Sequence, residues 1–127
     1  MECLNVIGKN KQNKLNARKK KDDVIYRLLS FFLATVYGNG VYFARDASYS
    51  TQNKYSPPDT TGHRCMYLAR VLAGEYTKGR QGMITPPPKG SDATDVYDTV
   101  VNDPANPGIF VVFYDNQCYP DYLITFK

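Results

Sequence analysis

Two glycines and an aromatic pair stand together in residues 37–50, YGNGVYFARDASYS. Glycine lets the backbone turn at positive φ and lets another group approach it closely. Because Gly38 and Gly40 stand directly before a predicted strand, we expect room beside the sheet for a flat group to lie against Tyr42. A tight turn leading into a strand whose tyrosine packs in the core is the structural alternative. With no third glycine and no following helix, the pattern is not a dinucleotide fingerprint.

Cysteine and histidine usage argues against metal chemistry. Cys3, Cys65 and Cys118 are odd in number, widely spaced and in no Cys-x-x-Cys pair. This usage indicates reduced thiols inside a cell rather than a disulfide framework or a zinc site. The sole histidine, His63, stands beside Gly62 in a predicted loop, where we expect it to face solvent. We therefore predict no metal site.

The net charge of +4 is unevenly distributed along the chain. Residues 1–27 hold eight lysines and arginines against three acids, which gives this arm +5 and leaves −1 for the rest. The body therefore offers no basic face for nucleic acid. The arm is either a solvated tail or an element for nuclear localisation or RNA contact. The apolar run 28–37 has ten residues, too few for a membrane span, which needs about twenty.

Three groups of β-branched and aromatic residues predict strands, namely 41–44, 64–76, and 109–114 together with 122–126. The segment 64–76 is mostly apolar on both faces, which is typical of a central strand covered on both sides.

Two stretches between these groups are predicted to hold no strand. Residues 46–63 begin as a short helix and continue as loop, and residues 79–108 form a long loop with five prolines. A loop of that length is usually functional or disordered. A sheet whose strands are connected by long irregular segments indicates an α+β fold.

Five blocks of the sequence closely resemble, in order and spacing, the carboxyl-terminal two thirds of the catalytic domain of the poly(ADP-ribose) polymerase superfamily. The likeness is closest to the macrodomain-containing mono-ADP-ribosyltransferases, covers residues 37–127 and does not extend to residues 1–36. It implies an incomplete ADP-ribosyltransferase fold, a split antiparallel β-sheet of the α+β class. The blocks are GNGVYFARDASYSTQNKYS, YLARVLAGEYTKGR, TPPPK, TDVYDTVVND and IFVVFYDNQCYPDYLITF.

The resemblance implies that three residues bind NAD, the substrate of this family. Tyr42 matches the tyrosine of the family's His-Tyr-Glu triad, and Ser50 matches the serine that holds the nicotinamide carboxamide. Tyr55 matches the tyrosine that stacks on the nicotinamide ring. Aromatic faces suit a planar cation, at about 0.5–2 kcal/mol each. The alternatives are that Ser50 caps a helix and that Tyr55 is a surface aromatic.

The remaining two triad positions depart from the polymer-forming pattern. Ile109 stands where those members carry the glutamate, and an isoleucine cannot polarise a ribose hydroxyl for chain elongation. The resemblance therefore implies transfer of a single ADP-ribose to an acceptor protein. Asp121 is a less favoured substitute. No histidine precedes Tyr42, so the counterpart of the family's His-Gly-Ser/Thr motif, which binds the adenosine-side ribose, is absent.

We interpret the chain as truncated, with residues 1–21 lacking a fold of their own. The primary hypothesis is an NAD-dependent mono-ADP-ribosyltransferase, a glycosyltransferase of the nucleus or cytoplasm that releases nicotinamide. An inactive fragment acting as a protein-interaction module is the alternative, and an RNA or nuclear-targeting role of the arm is a third. NAD and acceptor proteins are the expected partners, without a membrane.

Overall fold

The computed structural model describes residues 2–6 and 36–127. The predictions made for residues 7–35 lie outside the described residues. Within the described ranges, the chain is rich in strand, with little helix. The elements are β1 (Glu2–Val6), β2 (Val41–Ala44), α1 (Ala47–Ser50), β3 (Arg64–Val71), β4 (Tyr76–Lys78), β5 (Thr99–Val101), β6 (Ile109–Val112), the 3-10 turn Asp115–Gln117 and β7 (Cys118–Phe126).

The strands of the described residues form one sheet in the order β4-β5-β6-β2-β1-β3-β7. All neighbouring strands pair antiparallel except β4 and β5, which run parallel. The strand β2 lies beside β6, with Tyr42 opposite Val111. A mostly antiparallel, strand-rich sheet agrees with the coarse prediction from the sequence, while the α+β class remains a prediction.

Side chains alternate between the two faces of this sheet, as the pleat requires. One face, which we call the Tyr42 face, carries the buried residues Tyr42, Ala44, Tyr55, Val100, Ile109 and Val111. The other, the Phe43 face, carries Phe43, Ala69, Val71, Ala73, Val101, Phe110 and Val112. The strand β6 is buried at all four positions, because it contributes apolar side chains to both faces.

The stretch 79–108 contains a strand, so the prediction that it holds none is wrong. Residues Thr99–Val101 form β5, which is fully buried and pairs with β4 on one side and β6 on the other. Three residues are too few to show a period of two, and the surrounding prolines and glycines hide the strand in the sequence.

The predicted strand 64–76 is in fact two strands. The first ends at Val71, and the second begins at Tyr76. Between them Gly74 adopts φ +56°, a conformation that glycine tolerates well. The Asp98 carboxylate fastens this turn by accepting the Glu75 N–H at 2.8 Å. The first strand lies inside the sheet as predicted, but its first five residues are only half-buried, so its faces are not fully covered.

Of the expectations for the short helix in 46–63 and for the opening residues, one is confirmed and one is wrong in part. The short helix predicted at the start of 46–63 is confirmed as Ala47–Ser50. The expectation that the opening residues lack structure is wrong for Glu2–Val6, which lie as a strand between β2 and β3. No helix in the described ranges has the length and hydrophobicity needed to cross a bilayer.

Candidate functional site

Tyr42 lies in the second position of β2 and is held by the turn that precedes the strand. Its side chain is buried, with 7% exposure. The hydroxyl donates to the Gly38 carbonyl at 2.7 Å and accepts from the Tyr37 N–H at 3.1 Å. Burial raises the pKa of Tyr42 above its ordinary value, which outweighs the opposing effect of these backbone hydrogen bonds. The phenol therefore stays neutral and keeps a fixed orientation.

The two glycines before Tyr42 allow a close approach, but the approaching groups belong to the protein. A Cβ on Gly38 would lie 2.9 Å from Cζ of Phe113, and one on Gly40 would lie 2.6 Å from the Val112 carbonyl oxygen. The Asn39 N–H donates to the Met83 carbonyl at 2.7 Å and ties this turn to a distant loop. The expectation that these glycines leave room for a flat group is therefore wrong at both positions.

Replacing Gly40 by alanine is expected to lower the free energy of unfolding by about 1–3 kcal/mol, because the added methyl collides with the backbone of β6. Urea denaturation of the purified chain measures this loss. Gly90→Ala is the matched control, since a Cβ there meets nothing within 4 Å. Equal stability of the two variants would contradict the close approach.

Tyr55 lies on the same face as Tyr42 and is 3% exposed. Its ring stacks on Tyr49, with centroids 5.2 Å apart and an interplanar angle of 21°. The two hydroxyls lie within hydrogen-bond distance, at 3.1 Å. Burial, followed by the hydrogen bond to Tyr49, raises the pKa of Tyr55. The alternative that Tyr55 is a surface aromatic is therefore wrong.

Ser50 is the last residue of α1 and is fully buried. Its hydroxyl oxygen has no hydrogen-bond partner among the described residues. The alternative that Ser50 caps a helix is wrong, because Asp46 occupies the N-cap and Thr51 the C-cap. Leaving a buried hydroxyl unpaired costs about 1–3 kcal/mol. The residue just before it, Tyr49, packs against the Tyr42-face cluster.

Ile109 begins β6 and lies opposite Ala44 of β2. Its side chain is 7% exposed and belongs to the same cluster as Tyr42 and Tyr55. The Asn102 side chain anchors the start of this strand, since its Oδ1 accepts the Ile109 N–H at 3.0 Å. The fold thus brings three of the four predicted site residues into one cluster, and Ser50 lies in the short helix between Tyr42 and Tyr55 in the sequence.

Asp121 lies elsewhere in the fold. It is part of β7, which three strands separate from β6, and its carboxylate pairs with Nε of Arg70 at 2.7 Å. Asp121 therefore lies outside the cluster that contains Tyr42, Tyr55 and Ile109.

Sequence reasoning missed several neighbours of the site. Tyr49 supports the Tyr55 ring, Tyr37 supports the Tyr42 hydroxyl, and Phe113 and Met83 pack against the cluster. The spacing of Tyr49 and Tyr55 gave no helical or strand period that would pair them. Among residues 2–6 and 36–127, no group of three or more His, Cys, Asp or Glu side chains is placed to hold a metal ion.

Comparison with known proteins identifies the family to which the chain belongs. The family model of the poly(ADP-ribose) polymerase catalytic domain matches residues 32–127. The chain is a member of the poly(ADP-ribose) polymerase catalytic domain family. This membership confirms the resemblance on which the sequence interpretation rests.

Curated relatives share the same stretch of sequence. Protein mono-ADP-ribosyltransferase PARP14 of Homo sapiens is 50% identical over 95 residues, covering 74% of this chain and 5% of the relative. Protein mono-ADP-ribosyltransferase PARP12 of Mus musculus is 48% identical over 93 residues, covering 73% of this chain and 13% of the relative. Protein mono-ADP-ribosyltransferase PARP11 of Mus musculus is 40% identical over 108 residues, covering 72% of this chain and 33% of the relative. The chain thus spans at most a third of the length of these three members of the family.

Proposed function

We propose that this chain carries the nicotinamide side of the active site of an NAD-dependent protein mono-ADP-ribosyltransferase. The reaction transfers a single ADP-ribose from NAD to a protein side chain and releases nicotinamide. Family membership supports this proposal, as does the likeness to relatives that are mono-ADP-ribosyltransferases.

The buried Ser50 hydroxyl is the observation that carries the proposal. It is 0% exposed and has no hydrogen-bond partner in the described part of the chain. A primary carboxamide offers both a donor and an acceptor to a serine hydroxyl, so the carboxamide of nicotinamide would satisfy it. The residues therefore fit the nicotinamide end of NAD.

The two tyrosines supply the apolar surface for the ring. Tyr42 and Tyr55 are neutral phenols with raised pKa values, so neither places a negative charge in the site at physiological pH. Tyr49 stacks on one face of the Tyr55 ring, so nicotinamide would bind the remaining aromatic surface, where a phenol face attracts its positive charge before the bond to ribose breaks. As that bond breaks, the electron pair leaves with nicotinamide, and a nucleophile of the acceptor protein bonds to C1′ of the ribose.

Ile109 supports a single transfer. Its aliphatic side chain can neither accept a proton from a ribose hydroxyl nor polarise that hydroxyl toward a second NAD. Its burial beside Tyr42 and Tyr55 also keeps water from this part of the site. The acceptor must then bring its own nucleophile, for which a carboxylate side chain is the simplest choice.

A protein-interaction module without catalysis is the second candidate. The near-complete burial of Tyr42, Ser50 and Tyr55 favours it, because these side chains offer a ligand little surface among the described residues. His63 does not take part in the candidate site, since its Nδ1 lies 2.6 Å from the Thr61 hydroxyl in a surface turn. For either candidate we propose the nucleus or cytoplasm as the location, where the free Cys65 and Cys118 would stay reduced.

Incubation with NAD labelled in the adenylate phosphate tests the enzyme. We expect the label on the chain itself or on an added acceptor, with a mass increase of one ADP-ribose per modified site. Mouse PARP11 is the positive control. Absence of label on this chain beside a labelled control would contradict transfer by these residues and support the interaction module.

A further inference from the structure

An open cleft of about 610 Å³ lies at the end of the sheet where β4 and the 3-10 turn meet. Three tyrosines contribute to its wall, at positions 76, 97 and 114. Asp98 and Gln117 are polar residues of the same wall. Tyr114 is exposed at 47%, so an approaching ligand can reach its side chain.

The cleft is separate from the site around Tyr42. Two of its lining residues, Ala73 and Tyr76, belong to or pack against the cluster on the Phe43 face. Tyr42, Tyr55 and Ile109 contribute to the opposite face of the sheet. The cleft and the candidate nicotinamide site share none of the residues named here, so a ligand of the cleft would be bound by different side chains.

The charges around the cleft favour a cation. Asp98 is the charged residue of the wall, and Asp115 adjoins the lining residue Tyr114. The Lys89 ammonium binds Glu75, lies 3.6 Å from Asp95 and also interacts with the Asp98 carboxylate. The bond to Glu75 is the largest cause of the raised pKa of Lys89, so its charge is already offset. Three carboxylates, those of Glu75, Asp95 and Asp98, thus surround one lysine, so a positively charged ligand would meet net negative charge.

Gln117 presents a fixed acceptor at the cleft. Its Nε2 donates to the Asp98 carbonyl at 2.8 Å and to the Leu72 carbonyl at 3.3 Å, which sets the plane of the amide. The other amide atom, Oε1, is buried and has no hydrogen-bond partner among the described residues. A ligand N–H directed at this oxygen would relieve the cost of leaving it unpaired.

We propose that this cleft binds an arginine side chain presented by a protein partner. The planar guanidinium would donate N–H groups to Gln117 Oε1 and to the Asp98 carboxylate, which accepts one backbone N–H and retains capacity for more. Its face would pack against tyrosine rings, as guanidinium groups do at aromatic sites. A lysine ammonium is a compact point charge without a planar fork, so arginine fits this combination better.

Titration of the isotope-labelled chain with a short peptide, acetyl-Gly-Arg-Gly-amide, tests the proposal by NMR. We expect a dissociation constant on the order of 1 mM for so small a probe. Shifts should appear at the Gln117 side-chain amide and at Tyr114, and not at Tyr42 or Ser50. The same peptide with lysine should bind several times more weakly, and the neutral citrulline analogue more weakly still.

Two variants examine the contacts one at a time. Asp98→Asn removes the charge but keeps an oxygen for the Glu75 N–H, and should weaken arginine-peptide binding about tenfold. Tyr114→Ala changes an exposed residue and should weaken it about threefold or more. Asp103→Asn is the matched control, because Asp103 likewise holds a backbone N–H, that of Ala105, at the far end of β5.

Any of four results would overturn the proposal. One is citrulline binding equal to arginine binding, and another is lysine binding at least as tight as arginine binding. The third is unchanged affinity in the folded Asp98→Asn and Tyr114→Ala variants. Competition between the arginine peptide and nicotinamide would also count against it, because the two sites lie on opposite faces. Failure of NAD transfer would leave these binding results unaffected, so this proposal stands or falls apart from the proposed enzyme.

Discussion

Replacing Tyr55 by alanine is expected to lower the free energy of unfolding by about 3–5 kcal/mol. The side chain is 3% exposed, stacks on Tyr49 and packs in the Tyr42-face cluster. Its removal leaves a cavity and deprives the Tyr49 hydroxyl of its neighbour at 3.1 Å. Urea denaturation followed by far-ultraviolet circular dichroism measures the loss.

Two further tyrosine variants separate the causes of this effect. Tyr55→Phe retains the ring and should lose only about 0.5–1.5 kcal/mol, the usual contribution of one hydrogen bond. Tyr122→Ala, at an exposed position of β7, should change stability by less than about 0.5 kcal/mol. A loss at Tyr122 as large as that at Tyr55 would show that Tyr55 does not occupy the core.

Replacing Ile109 by glutamate is expected to destabilise the fold by several kcal/mol at neutral pH. The position is 7% exposed and its neighbours are the apolar and aromatic residues of the Tyr42 face. An ionised carboxylate there loses its hydration without gaining a partner, a penalty on the order of 2–5 kcal/mol. Thermal unfolding of the variant, compared with the parent chain, measures it.

The stability of this glutamate variant should depend on pH in a defined direction. Desolvation raises the pKa of a buried carboxyl group, so the folded state binds its proton more tightly than the unfolded state does. The loss of stability should therefore be smallest below the ordinary glutamate pKa of about 4.3 and should grow as pH rises through the folded-state pKa. Ile84→Glu is the control, because Ile84 is 73% exposed and should show no such dependence.

Much of the sheet could be predicted from the sequence, because long apolar and β-branched runs carry a strong signal. The strands around Tyr42, in 64–71 and in 109–112 were predicted at or near their observed positions. The three-residue strand Thr99–Val101 was missed, since its burial depends on pairing with strands distant in sequence. The turn at Gly74 was also missed, because it depends on Asp98, twenty-four residues away.

The sequence allowed the members of the candidate site to be proposed, but it did not predict their geometry. Tyr42, Ser50 and Tyr55 came from the family resemblance, and the pairing of β2 with β6 brings Ile109 to the cluster of both tyrosines. That Gly38 and Gly40 accommodate the protein's own Phe113 and Val112 could not be read from a local pattern. The stacking of Tyr55 on Tyr49 likewise depends on the course of the loop between them.

Titration with nicotinamide of the parent chain, Ser50→Ala and Ser48→Ala tests directly our proposal that Ser50 holds the carboxamide of nicotinamide. Ser48 is the exposed serine two residues earlier in α1. We predict that Ser50→Ala weakens nicotinamide binding about tenfold while leaving the ligand-free chain at least as stable, because an unpaired buried hydroxyl is removed. Ser48→Ala should bind as the parent chain does. Nicotinamide binding by Ser50→Ala that is as tight as that of the parent chain would contradict the account.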